Sequence, residues 1–143
     1  MTSIFMFFAI VFSASIIDHK TNRLPDNLTI PFLFLGLLCN VNSTFVPLYE
    51  SALGSTIGYS LIRLLHGFQI SRYGAAGIGL GDAKYLAGLC AWFGWRSLPF
   101  LLTASAAITL VFYPARTNKP LGVGLGISAL VLFVFHGLQF RNW

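Results

Sequence analysis

The sequence predicts an all-α polytopic membrane protein of about six transmembrane helices, with both termini outside and its key acids at the cytoplasmic face. Three observations predict it. Of 143 residues, 56% are hydrophobic and 9% charged, with a mean hydropathy of +0.76. A soluble domain carries about 25% charged residues. Nine basic and four acidic side chains are too few to cover a soluble protein of this size. Finally, apolar runs recur at the length of about twenty residues that a helix needs to cross hydrocarbon.

Taken in order, the runs are as follows. Met1–Ile17 is uncharged. It lacks a basic leading region and a small-residue cleavage site, so it reads as a retained first span and not a signal peptide. Asn27–Tyr49 turns polar over Asn40–Thr44, which ends its helix near Val41. Leu48–Phe68 carries Arg63 and His66 near its end, Ala83–Trp95 is short, and Ser97–Ala115 and Leu121–Phe140 are clear spans. The length leaves room for a single integral-membrane domain, residues 1–143.

Loop charges orient these spans. With the N-terminus outside, Lys20, Arg23, Arg63, Arg72, Lys84, Arg116 and Lys119 fall on the inner side, and only Arg96 and Arg141 on the outer. Cytoplasmic loops are enriched in Lys and Arg, so this orientation is the expected one. The same bias accounts for the net charge of +5, and no basic cluster points to nucleic acid. Cys39 and Cys90 lie far apart in apolar runs. They form no CxxC pair, so neither zinc nor a disulfide is expected, and they read as small buried hydrophobes. No metal or cofactor is called for.

The four acids are Asp18, Asp26, Glu50 and Asp82. Asp18 ends the first span and Asp82 begins the fourth, so both fall at the same depth on the inner side. An ionisable residue at the edge of a span is costly and is a functional candidate by default. Two carboxylates that share a site cannot both ionise easily, so one stays protonated. The charged member can take a proton from water while the neutral one donates to a carbonyl oxygen, with no metal required. Gly77, Gly79 and Gly81 precede Asp82 and would give a substrate strand close access. Asp26, in "LPDNLTIP" with Pro31 in the first turn, and Glu50, near Pro47, read as helix caps. Asn42-Ser43-Thr44 matches a glycosylation sequon, a pattern common by chance.

Three segments together, "IIDHKTNRLPDNLTIPFLFLGLL", "GIGLGDAKYLAGLCAWFGWRSLP" and "KPLGVGLGISAL", resemble the type IV prepilin peptidases, membrane aspartic proteases of the GxGD class. The resemblance implies that Asp18 and Asp82 are catalytic. It also implies that Gly79, Gly81 and Lys84 belong to the active-site loop. The implied partners are a prepilin or pseudopilin, whose short basic leader is cut after glycine at the inner face, and membrane lipid. The implied location is the bacterial cytoplasmic membrane, and the pathways served are type IV pili or type II secretion. The zinc-binding CxxC motifs of full-length members are missing from this sequence, so peptidase activity is expected without methyltransferase activity. The last segment reads Pro120-Leu121-Gly122-Val123 where the family commonly has PFGP, a drift in a segment taken as packing. The alternatives are an inactive relic and a non-enzymatic multispan scaffold.

Helix dipoles assign roles within the pair. Asp82 begins a helix, which favours its charge, and Asp18 ends one, which disfavours it. The shared proton is therefore expected on Asp18. Lys84 reads as an interfacial lysine or one that lowers the Asp82 pKa, Lys20 and Arg23 as topology anchors, and His19 as a loop residue at the interface. Trp92, Trp95 and Trp143 suit an interface belt.

Overall fold

The computed structural model describes residues 2–21, 24–43, 45–74, 79–112 and 121–140. Among these, the regular elements are helices: α1 (Thr2–Thr21), α2 (Asp26–Val41), α3 (Leu48–Tyr73), α4 (Leu80–Phe93), α5 (Leu98–Phe112) and α6 (Leu121–Phe140), with a 3₁₀ turn at Trp95–Ser97. Each expected span has a helical counterpart. The short fourth run is the centre of the bundle: α4 packs on α3, α2 and α6, and every residue from Tyr85 to Gly94 is buried. The α1 helix leans on α6 and α2, and α5 backs α6 from outside. Fourteen residues make α4 roughly 21 Å long, shorter than a hydrocarbon core of about 30 Å.

The helices approach closely because small residues line their contacts. A methyl on Gly88 would lie 2.7 Å from the Phe32 ring, and one on Gly54 would lie 2.6 Å from the Trp95 backbone. Polar side chains reinforce these seams. Asn40, fully buried, donates to the carbonyls of Ala91 (2.8 Å) and Trp92 (3.2 Å) and accepts from the amides of Phe45 and Val46. Ser51 Oγ also donates to the Ala91 carbonyl. The C-terminal carbonyls of α4 are thus satisfied from α2 and α3. Gly94 then turns the chain at φ 78°, a backbone conformation that favours glycine.

Large apolar side chains lie on the surface as well as in the core, and small polar ones are buried between the helices. Phe5, Leu64 and Val111 are 73–74% exposed, whereas Thr29, Asn40, Ser51, Ser105 and Ser128 are fully buried. Among the described residues, one run, Trp95–Phe112, is long and apolar enough to cross a membrane; Asp26–Val41 and Leu121–Phe135 are shorter apolar helices.

Several local expectations are corrected. The α2 helix starts at Asp26, so Pro31 lies in its second turn and not its first. Neither Asp26 nor Glu50 is a cap: Pro25 and Pro47 occupy the N-cap positions without side-chain caps. Asp26 instead pairs with Lys84 at 2.6 Å. Buried Glu50 pairs with Arg96 at 3.3 Å and accepts from the Tyr49 hydroxyl. Trp92 is core, not belt: it packs on Phe7 and Phe32 and donates its indole N–H to the Phe32 carbonyl. Cys90 is buried as expected, and Cys39 is half-buried. Arg23, Arg116, Lys119, Arg141 and Trp143 lie outside the described residues.

Candidate active site

The two aspartates come from different helices, and Leu24 packs beside both, on Gly81 next to Asp82 and on Gly122 next to Asp18. Asp18 sits in the last turn of α1 and is 3% exposed. Its Oδ2 accepts the amide of Val123 at 3.1 Å, and the Gly122 amide adds a second backbone donor. Both amides belong to the first turn of α6, where N–H groups have no partner within the helix. Gly122 makes the contact possible: a methyl there would lie 2.7 Å from Asp18 Oδ2. Asp82 stands in the first turn of α4, half-buried, and accepts the Gly79 amide at 3.3 Å.

Both acids lie just outside the apolar runs 1–17 and 83–95. Burial raises the Asp18 carboxyl above the usual range; the Val123 and Gly122 amides and the His19 charge partly offset this. Burial, and then the negative charge of Asp18, pushes Asp82 up to about 7, against a single opposing amide from Gly79. Asp18 therefore has the better-stabilised anion. The dipole argument for a proton on Asp18 considered only the helix that Asp18 ends. The start of α6 sits against the same carboxylate and supplies the opposite dipole end, with two donors.

The two described glycines of the loop differ in the room they leave. Gly79 is the N-cap of α4 at φ −78°, an ordinary backbone conformation, and the space where its side chain would be is open apart from the Asp82 carboxylate. At Gly81 the clearance is already used: a methyl would lie 3.1 Å from the Leu24 carbonyl oxygen and Cβ. Leu24, buried, wedges between the starts of α4 and α6, with Cδ1 3.0 Å from a methyl built on Gly122. Gly77 lies outside the described residues. Lys84 points away from the acids to Asp26. It also lines a groove of about 470 Å³ between α2 and α3, with Thr29, Phe34, Thr56 and Tyr59. Residues 82 and 84 differ by about 200° around a helix, so this groove is not the acid site.

Sequence reasoning missed Gly122 and Val123 as contributors, having treated their segment as packing. The signal lay in the glycine just inside the start of a helix, where close approach to the backbone amides matters more than propensity. Among the described residues, no cluster of His, Cys, Asp and Glu could hold a metal ion.

Residues 5–114 match the family model described as the type IV leader peptidase family. The chain is 42% identical to the prepilin leader peptidase/N-methyltransferase of Neisseria gonorrhoeae over 142 residues, covering 94% of this chain and 50% of that protein. It is 37% identical to the protein of the same name from Pectobacterium carotovorum, covering 87% and 48%, and 36% identical to that of Escherichia coli K12, covering 70% and 44%. The chain spans about half the length or less of these relatives. No solved structure matches. By the extent of the family match and the identity to these relatives, the chain belongs to the type IV leader peptidase family.

Proposed function

We propose that this chain is a membrane-embedded aspartic endopeptidase that removes the short leader of type IV prepilins or pseudopilins, with Asp18 and Asp82 as its catalytic pair. The observation that carries this reading is that Asp18 accepts amides at the start of α6 while Leu24 packs both on Gly122 there and on Gly81 beside Asp82, so the two acids share one end of the bundle. Asp18, ionised and held by the α6 amides, takes a proton from the attacking water. Asp82, protonated near neutrality, donates to the carbonyl oxygen of the scissile bond. The roles are the reverse of those that the dipole of α1 alone would give.

The membrane setting is supported by the apolar surface. Large apolar side chains face outward on α1, α2, α3 and α5, and small and hydroxyl-bearing residues mediate the contacts between helices. Helices in lipid associate in this way because exposure of apolar surface carries no penalty there. The charge pairs fit the layout of the spans, since Lys84–Asp26 and Arg96–Glu50 each join residues assigned to one side.

The direct test is to express the chain with a prepilin carrying a Gly-Phe junction and follow the length of the product. The expected result is a shortened pilin. Intact prepilin at full expression of the native chain would refute the peptidase reading and favour a scaffold.

A second prediction concerns Gly122. Replacement by alanine sets a methyl against Asp18 Oδ2 and Leu24 Cδ1, which turns the carboxylate off the Val123 amide. A misplacement of this size costs about a hundredfold in rate. Gly122→Ala is therefore expected to lower kcat on that order with KM close to native, as measured on purified protein with a prepilin substrate.

A further inference from the structure

Each acid has a hydroxyl one turn deeper in the bundle. Ser15 precedes Asp18 by three residues on α1, and Tyr85 follows Asp82 by three on α4. Residues three apart share a helix face, so the hydroxyls lie beneath the carboxylates. They come together at α6: a methyl on Gly126 would collide with Ser15 Oγ and lie 3.4 Å from the Tyr85 hydroxyl. Gly122, four residues earlier on the same face of α6, touches Asp18. One face of α6 thus borders Asp18 at its start and the Ser15–Tyr85 pair one turn further in.

Tyr85 is fully buried, and its hydroxyl has no hydrogen-bond partner among the described residues. Ser15 lies alongside it but sends its own hydrogen to the Val11 carbonyl at 2.9 Å, which leaves Ser15 Oγ an acceptor. The rest of the Tyr85 ring behaves as core, 6.0 Å from the Phe32 ring. Phenylalanine would fill that space without burying a hydroxyl, and buried polar groups are almost always satisfied. Ser15 Oγ is the neutral acceptor beside the hydroxyl, and the charged group on the same face of α6, one turn away against Gly122, is the Asp18 carboxylate.

We propose that Tyr85 is a positioning residue for the acid pair: its hydroxyl donates, through one water that Ser15 also contacts, to the Asp18 carboxylate from the interior side. The α6 amides would then hold Asp18 from one side and Tyr85 from the other, fixing its orientation and favouring its ionised form. This rests on the two-aspartate reading, and the test separates the two.

The test is Tyr85→Phe in the full chain, purified in detergent and assayed with the Gly-Phe prepilin. The expected result is a fall in kcat of about tenfold with KM within about twofold, the scale of one tuned contact to a general base. Loss of a donor to the anion raises the Asp18 pKa, so the acidic limb of the kcat profile is expected to move to higher pH. Infrared spectra with isotope-labelled aspartate are expected to show the Asp18 carboxylate band displaced, with or without activity. Ser15→Ala is expected to act in the same direction more weakly, and it carries the test if Tyr85→Phe does not fold. A native pH profile and an unmoved carboxylate band in the folded variant would overturn the proposal. Failure of the native chain to cut prepilin would overturn the peptidase reading alone, since the infrared band still decides the link between Tyr85 and Asp18.

Discussion

Asp18→Asn and Asp82→Asn are each expected to abolish practical processing of prepilin, with a rate loss of about 10²–10⁴-fold for removal of a general acid or base. The two variants differ in what they leave behind. Asparagine at 82 remains a neutral donor to a carbonyl oxygen, so Asp82→Asn is expected to retain the larger residue of activity. Asparagine at 18 removes the group that accepts the proton of water. In infrared difference spectra near pH 6, above the constant signal of the ion-paired Asp26 and Glu50, an ionised carboxylate contribution is expected to be lost in Asp18→Asn and kept in Asp82→Asn. The opposite pattern would exchange their roles. The pH dependence follows the same assignment. Asp82 must be protonated, and burial together with the Asp18 charge holds it at about 7, so activity is expected to fall as pH rises through neutrality. It is expected to fall again in acid, where Asp18 takes up a proton. A rate that climbs steadily from pH 6 to 9 would contradict a proton on Asp82.

The legible part of this molecule was the part encoded in runs and spacing. Uncharged stretches located the helices, and the scarcity of acids singled out Asp18 and Asp82, because a carboxylate beside an apolar run needs a reason. What was not legible depended on partners distant in sequence. Val123 reaches Asp18 across 105 positions, and nothing local to either residue records that contact. The two proton assignments differ for that reason: a dipole argument made on one helix omits the second helix that abuts the same carboxylate. Asp26 shows the same limit. Its place after Pro25 fits a cap on local rules, but Lys84, 58 residues away, supplies the interaction it makes. Glycine patterns were read as freedom for a substrate strand. At Gly81 the neighbour that uses the space is the chain's own Leu24.

Asn40→Leu is expected to be the most destabilising single change outside the acid site, by about 2–4 kcal/mol. Leucine is close in volume, so the cost is polar and not steric. Asn40 Nδ2 serves the Ala91 and Trp92 carbonyls and Oδ1 serves the Phe45 and Val46 amides, all at the end of the bundle away from Asp82. Ser51 still reaches Ala91 in the variant, which leaves the Trp92 carbonyl and the two amides to lose their side-chain partner. At roughly 2–4 °C per kcal/mol for a chain of this size, the thermal midpoint in detergent is expected to drop by about 5–15 °C. The Lys84–Asp26 bridge is shorter than any of the Asn40 hydrogen bonds, yet its side chains are 30% and 56% exposed. Solvent screens such a pair, and Lys84→Met is expected to shift the midpoint by only about 1–3 °C, in line with a worth of about 0–1 kcal/mol. Equal losses from the two variants would mean that the C-terminal end of α4 is not held by Asn40. Because Asn40 acts at the end of α4 opposite Asp82, its loss is expected to reduce the amount of folded protein while the rate per folded molecule stays near native. Gly122→Ala is expected to do the reverse, and that contrast separates the residues that hold α4 in place from those that aim the acid.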